Sequence, residues 1–378
     1  MRPRARSVGT DQGAPFTKVM ALIGTAVTLF NAVVPARAAT LTGRLSPAAP
    51  SEVSLFAVVR QLGLGDSLAA IAAVGPSSVY LTGSLVNGKG QSTLERVDAR
   101  SLQPEARADV ANVTSTAYGD GALWWATGAP LGGIPGNRAL PPQRHALLKL
   151  SPLSLKLEKT FELDHPPLAV TVTDGDLWVG TTGSLERLNP LTGSVLADVR
   201  LGFTPLSMAG SYGSGSIYVL GYTNSDRLVL ADYSASSGAE LGYRGLAHDS
   251  DGPLAAAPDG VWVNLQDTST QSTTARLFRG ARLQPSSAVG GLNFGANVYT
   301  TGDILWLVDS GGQGDTLCAD ASTGRVRASA GPLGVLWQPA VASQGRSVYL
   351  LRDEGTQEQL LQVVPSAECT GARAKGQR

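Results

Sequence analysis

Three histidines occur in the 378 residues, His145, His165 and His248, and they are where acid–base or metal chemistry would have to start. An imidazole titrates near neutrality and ligates divalent metals. His248 opens the run His248-Asp249-Ser250-Asp251, so one imidazole and the carboxylates of Asp249 and Asp251 could share a cation. Such groups would serve a lyase or a hydrolase if the fold gathered them; otherwise they are three unrelated surface histidines. The stretch from Asp309 to Asp315 alternates oxygen-bearing residues with glycines, as a calcium loop does. It lacks the acidic density and the closing glutamate of such a loop and reads as a hairpin connection. No His-Glu-x-x-His motif, no Gly-x-Ser-x-Gly elbow and no phosphate-binding glycine loop is present. No cofactor is therefore expected, a divalent metal on the histidine-bearing loops being the one exception weighed.

The elements that would position these residues come from an internal repeat. A β-branched residue or leucine, an aromatic and a further apolar residue recur seven times: Val79-Tyr80-Leu81, Leu123-Trp124-Trp125, Leu177-Trp178-Val179, Ile217-Tyr218-Val219, Val261-Trp262-Val263, Leu305-Trp306-Leu307 and Val348-Tyr349-Leu350. The aromatics are 44, 54, 40, 44, 44 and 43 residues apart. The one long interval contains the Gly- and Pro-rich stretch from Gly128 to Arg144, which reads as a loop inside the second repeat. Turn-forming residues precede each triplet, as in Pro258-Asp259-Gly260, and period-two alternation follows it, as in Leu185-Glu186-Arg187-Leu188. Four short strands in about 40–45 residues make a propeller blade. The expected fold is thus all-β, a seven-bladed β-propeller spanning 52–370. Its repeated aromatics pack between blades, because one twisted sheet cannot cover both of its own faces. The seventh repeat runs out of chain one strand short. The segment from Val53 to Val59 is expected to supply its outer strand and close the ring.

On this plan His145 ends the long loop of blade 2, while His165 and His248 lie in the connections into blades 3 and 5. All three loops open on one face. A protein or small-molecule ligand is expected on one face of the ring.

The chain's beginning reads as an export signal. Arg2, Arg4, Arg6 and Lys18 precede an apolar run from Val19 to Val34 that ends in Pro35-Ala36-Arg37-Ala38, a small-x-small cleavage pattern. Residues 1–38 are the expected signal peptide, 39–51 a linker and 371–378 a disordered tail. An uncleaved membrane anchor is the alternative. Cleavage after Ala38 leaves 25 Lys plus Arg against 29 Asp plus Glu, a net charge of −4. That balance provides no basic footprint for nucleic acid. The mature protein is expected to be secreted or held in the cell envelope, with no further membrane span, as a monomer. In an oxidising compartment the two cysteines, Cys318 and Cys369, could form a bridge pinning the C-terminal end to the ring, or stay as two unpaired small residues.

Leu188-Asn189-Pro190-Leu191-Thr192-Gly193-Ser194-Val195, followed by Gly202-Phe203-Thr204-Pro205 and Ile217-Tyr218-Val219, resembles the repeat of bacterial YVTN-type propellers and the related streptogramin-lyase-like propellers. Asp320-Ala321-Ser322-Thr323-Gly324-Arg325-Val326 repeats part of it. The resemblance implies a secreted propeller; it implies no activity, since sites vary independently of the scaffold. Quinoprotein propellers carry a similar turn followed by a docking tryptophan, where Ala197 and Ala328 stand here, so a quinone-dependent dehydrogenase is not indicated. The histidine and acid arrangement of the streptogramin lyases has no counterpart in this chain, and none of its catalytic residues is carried over.

Overall fold

In the computed structural model, residues 56–64, 70–83, 91–111, 113–127, 145–211, 215–247, 253–293, 296–309, 316–330, 348–353 and 358–371 are described. They form seven antiparallel sheets, the blades of a β-propeller. Blade 1 comprises Ala70–Val74, Ser78–Thr82, Gln91–Asp98 and Pro104–Ala111; blade 2, Ser115–Gly119, Ala122–Thr127, Ala146–Leu150 and Leu157–Glu162. Blade 3 comprises Pro167–Thr173, Asp176–Thr181, Ser184–Leu188 and Val195–Arg200; blade 4, Phe203–Gly210, Ser216–Thr223, Leu228–Ser234 and Glu240–Gly245. Blade 5 comprises Ala255–Ala257, Gly260–Asp267, Ser272–Arg279 and Gln284–Asn293; blade 6, Ala296–Thr301, Ile304–Asp309, Thr316–Asp320 and Val326–Ala330. The last sheet pairs Val348–Asp353 with Glu358–Pro365, and the latter with Phe56–Gly63. An N-terminal strand thus closes the ring from the outside, with Phe56 opposite Pro365 and Leu62 opposite Leu360. It runs from Phe56 to Gly63, further along the chain than the expected Val53 to Val59, because the pairing resumes at Arg60 after a register shift between Val58 and Arg60 and continues to Gly63. No helix among the described residues is long and apolar enough to cross a membrane.

First strands of neighbouring blades touch one another and line the axis. Hydroxyl groups clip them together: Thr116 donates to the Ala72 carbonyl, Thr173 to that of Ser211 at 3.2 Å and Thr300 to that of Ala256 at 2.6 Å. Each second strand is apolar at consecutive positions because both of its faces are covered. Val261, Val263 and Leu265 pack with Tyr218 and Leu230 of blade 4, whereas Trp262 between them packs with Val298 and Leu305 of blade 6. Trp124, Trp178 and Trp262 are completely buried this way.

How the repeated aromatic holds its neighbour is a matter of one turn. In blades 1, 2, 3, 4 and 6 the third strand ends in a five-residue turn whose last N–H returns to the first carbonyl: Leu102 to Asp98, Leu155 to Ser151, Gly193 to Asn189, Gly238 to Ser234 and Gly324 to Asp320. The first side chain caps the turn, as Asp320 Oδ1 does by accepting the N–H groups of Ser322 and Thr323. Four of these turns receive the preceding blade's aromatic at the second residue's carbonyl. Tyr349 donates to Ala99 at 2.7 Å, Tyr80 to Pro152 at 3.0 Å, Trp178 to Ala235 at 3.2 Å and Trp262 to Ala321 at 2.7 Å.

The fifth residue of the turn matches the size of the ring. It has positive φ in every case, +56° at Leu102, +57° at Leu155, +73° at Gly238 and +71° at Gly324. Where the incoming ring is tyrosine the position is leucine, which packs with it. Where the ring is tryptophan the position is glycine. A Cβ on Gly324 would stand 2.8 Å from the Trp262 ring, and one on Gly238 would stand 2.7 Å from Val199 and 3.2 Å from Trp178. Gly193 instead receives Phe161, on which Trp124 stacks at 5.9 Å between centroids.

The junction of blade 6 with blade 7 has no such turn, because the outer strand of blade 7 comes from the other end of the chain. Trp306 donates instead to Thr301 Oγ1 within its own blade, at 2.7 Å. The chain leaves Pro365 into a short helix, α1 (Ala367–Thr370), capped by Ser366. Cys369 in α1 is bonded to Cys318, with Cα atoms 5.6 Å apart, and Cys318 is the residue directly opposite Trp306. Arg327 donates to the Cys369 carbonyl at 2.7 Å while paired with Asp320 and Asp303. A covalent bond and a guanidinium thus stand where five of the other junctions have the five-residue turn.

Candidate functional site

The axis carries no acidic or basic side chain along its described lining: Ala70–Val74, Ser115–Gly119, Pro167–Thr173, Phe203–Gly210, Ala255–Ala257 and Ala296–Thr301 contain only apolar, hydroxyl and amide residues, the phenols of Tyr118 and Tyr299 among the hydroxyls. Chemistry-bearing side chains stand further out. The upper face is taken here as the one bearing the loops between second and third strands and the connections between blades.

The backbones of His145 and His165 run near each other on this face. His145 immediately precedes the third strand of blade 2, and its carbonyl accepts the Leu163 N–H at 2.9 Å, two residues before His165. Its ring Nδ1 is buried without a hydrogen-bond partner among the described residues, while His165 is exposed. Glu186, on the third strand of blade 3, interacts electrostatically with His165. It is only 8 % exposed and accepts from Ser184 Oγ at 3.0 Å, which is 2.7 Å from Thr181 Oγ1. Burial pushes its carboxyl pKa up, repulsion by Asp198 and Asp164 adds to this, and the Ser184 bond and the His165 charge oppose it. Glu186 was readable in the sequence only through topology: a charge on a third strand, covered on both faces by neighbouring blades, has to be buried. His248, Asp249 and Asp251 lie outside the described residues, as do the loop from Gly128 to Arg144 and positions 310–315 of the calcium-like loop. Among the described residues no three His, Cys, Asp or Glu side chains converge as metal ligands.

A second buried carboxyl lies between blades 4 and 5. The residue opposite the repeated aromatic is a cation in blades 1–3, namely Arg96, Lys149 and Arg187, but Asp232 in blade 4. Asp232 is 5 % exposed, and its Oδ1 has no partner among the described residues. Burial raises its pKa to about 6 against the opposing bond from Ser216. Burial and the negative charges of Asp232 and Asp259 push Tyr218 up to about 12.

The surface feature that departs most from an ordinary soluble rim is apolar. Of the nine large hydrophobic residues exposed among the described ones, seven fall on three adjacent blades: Leu153 and Leu157 on blade 2, Leu191, Val195 and Leu196 on blade 3, Leu241 and Tyr243 on blade 4. All stand in the turn between third and outer strands or in the outer strand itself, at the lower outer corner of each blade. Leu153 and Leu191 are 66 % and 70 % exposed. The corners adjoin: Lys159 of blade 2 donates to the Leu191 carbonyl at 2.7 Å, and Arg187 of blade 3 donates to the Ser236 carbonyl in the blade 4 turn. An open groove of about 610 Å³ on blade 4, lined by Thr223, Arg227, Val229 and Tyr243 among others, continues the apolar wedge upward.

No protein-family model matches the chain, and no curated protein is similar to it by sequence. Solved structures are. BamB from Moraxella catarrhalis is 14 % identical, with 81 % of this chain and 99 % of that one covered and a TM-score of 0.53. The WD40 domain of Toxoplasma gondii coronin is 12 % identical over 84 % of this chain and 89 % of its own, with a TM-score of 0.57. The Pan2 WD40 domain of Neurospora crassa is 10 % identical over 84 % and 98 %, with a TM-score of 0.58. At such identities the likeness is one of fold.

Proposed function

We propose that the protein is an exported propeller, secreted or held in the cell envelope, that acts as a non-enzymatic binding and interaction scaffold. The carrying observation is the concentration of exposed leucine, valine and tyrosine at one corner of blades 2–4. Solvent-exposed apolar area gains free energy only when another surface removes it from water. The neutral lining of the axis supports the same reading, as does the propeller fold, which rigidly presents loops and edges without needing a catalytic group. The address rests on the basic start, the apolar run from Val19 and the Ala36-Arg37-Ala38 ending.

Two measurements test it. Intact mass of the exported chain should begin at Ala39, and retention of Met1 in a membrane fraction would replace export by anchoring. A photo-crosslinker placed at Leu153 should trap another protein in the envelope or medium, and the trap should be lost when Leu191→Asp is added. No adduct at any corner position would remove the scaffold reading.

The electrostatic coupling of the buried Glu186 to His165 favours one second reading, a lyase or hydrolase on the upper face. Substituting His145, His165 and His248 together decides it. Unchanged metal content and ligand binding would remove this enzyme.

A further inference from the structure

The groove on blade 4 is built from side chains that share one face of the sheet. Tyr243 and Gly245 of the outer strand pair with Ala231 and Val229 of the third, and Ala231 and Val229 pack with Leu201 and Trp178 on the blade 3 side. The Tyr243 ring leans on Phe203, centroids 6.2 Å apart, and stays 47 % exposed. The polar part comes from the hairpin between the second and third strands. There the hydroxyls of Thr223 and Ser225 lie 3.0 Å apart, and the Arg227 N–H donates to Thr223 Oγ1 at 3.2 Å. Arg227 is the one charged residue in the described lining. Its guanidinium has no ion pair or hydrogen bond among the described residues, whereas Arg187, Arg279 and Arg327 are each held by a carboxylate. Gly245 leaves room between these groups, since a Cβ built there would meet nothing within 4 Å. The groove's 610 Å³ falls within the ~300–1,000 Å³ of small-molecule sites.

We infer that this groove binds a monocarboxylate with an aromatic or branched apolar body, free or as the last residue of a peptide. Charge complementarity selects the anion. A guanidinium is a planar fork that matches a carboxylate with two parallel hydrogen bonds, and Arg227 has that fork unspent. One positive charge with no carboxylate in the described lining suits a single negative group and repels a cation. The hydroxyls of Thr223 and Ser225 can each donate and accept, so they add bonds beside the guanidinium. The apolar body follows from the rest of the lining. An exposed tyrosine ring offers a large contact area at low cost in side-chain entropy, and Val229, Leu246 and Ala247 extend it. A bare anion such as acetate would leave that ring in water, and a hydrocarbon would leave Arg227 without its partner. The inference goes beyond the corner of blades 2–4 and does not need it.

Fluorine NMR of N-acetyl-4-fluorophenylalanine titrated with the purified chain tests this. The expected dissociation constant is on the order of 1 mM, usual for a ligand of this size. The corresponding amide, which lacks the charge, should bind roughly tenfold more weakly. Arg227→Gln should weaken binding of the acid by roughly tenfold and leave the amide unchanged. Gly245→Leu sends a side chain into the free space and should abolish binding of both at an unchanged urea midpoint. A tripeptide ending in 4-fluorophenylalanine with a free carboxylate separates the two sources: tighter binding than the N-acetyl acid assigns the groove to a chain end, equal or weaker binding to a free acid. No binding at about 10 mM, acid and amide bound alike, or binding indifferent to Arg227→Gln or to Gly245→Leu would each overturn the inference. The crosslink at Leu153 is read separately: a chain that traps nothing there and still binds the acid loses the corner and keeps the groove.

Discussion

Tyr349 in the last blade donates its hydroxyl to the Ala99 carbonyl in the first, 2.7 Å away across a sequence separation of 250 residues. The same contact, aromatic donor to the second carbonyl of the neighbour's turn, recurs at three other junctions. Tyr349→Phe keeps the ring and leaves a carbonyl unpaired in a buried place. The expected cost is about 1–2 kcal/mol, read as a lower urea midpoint at unchanged slope.

The match of ring size to turn residue makes a coupled pair of Trp178 and Gly238. Gly238→Ala places a Cβ against Val199 and Trp178 at a positive φ and should destabilise by about 1–3 kcal/mol. Trp178→Tyr alone should leave a void. Combining Trp178→Tyr with Gly238→Leu, the pairing of Tyr349 with Leu102, should cost less than the two single changes added. A double-mutant cycle by urea unfolding measures the difference, and strict additivity would show that the rings and turns are independent.

Asp232 gives the fold a pH dependence of definite sign. Its carboxyl has a pKa of about 6 when folded against an ordinary value of 3.8, so the folded chain holds this proton more firmly than the unfolded one. The associated stability is fully present below the ordinary value, falls as pH rises from about 4 through 6, and is absent above. The loss is on the order of 2–3 kcal/mol. Asp232→Asn should be the more stable protein at pH 7, and the gap between variant and wild type should close by about pH 4. Equal pH profiles for the two would exclude an ionisable burden at this junction.

The Cys318–Cys369 bond spans 51 residues and holds α1 at the junction of blade 6 with the ring-closing blade. Cys318→Ser with Cys369→Ser should cost about 2–4 kcal/mol. Limited proteolysis should then cut the variant near residues 366–371 before any blade is degraded. An unchanged cleavage pattern would mean that Arg327 alone holds the C-terminal end.

Seven recurrences of an aromatic between apolar neighbours already determine the blade number, and a strand missing at the C-terminal end already requires one from the N-terminal side. Both follow from local sequence, because strand period and turn chemistry are written in adjacent residues. The partners of the aromatics are not local. That Trp262 meets Gly324, that Tyr349 meets Ala99, and that Cys318 meets Cys369 depend on how one blade sits on the next. The burial of Glu186 and Asp232 depends on the same stacking, for a charge on a strand reads as exposed until a second sheet covers it. The histidines show the converse: loop order along the chain put His145 and His165 on one face, and the structure adds only the Leu163–His145 backbone bond between their segments. Periodicity is a property of the chain, whereas solvent exclusion is a property of neighbouring surfaces, and the apolar corner of blades 2–4 became visible only when three outer strands distant in sequence stood together.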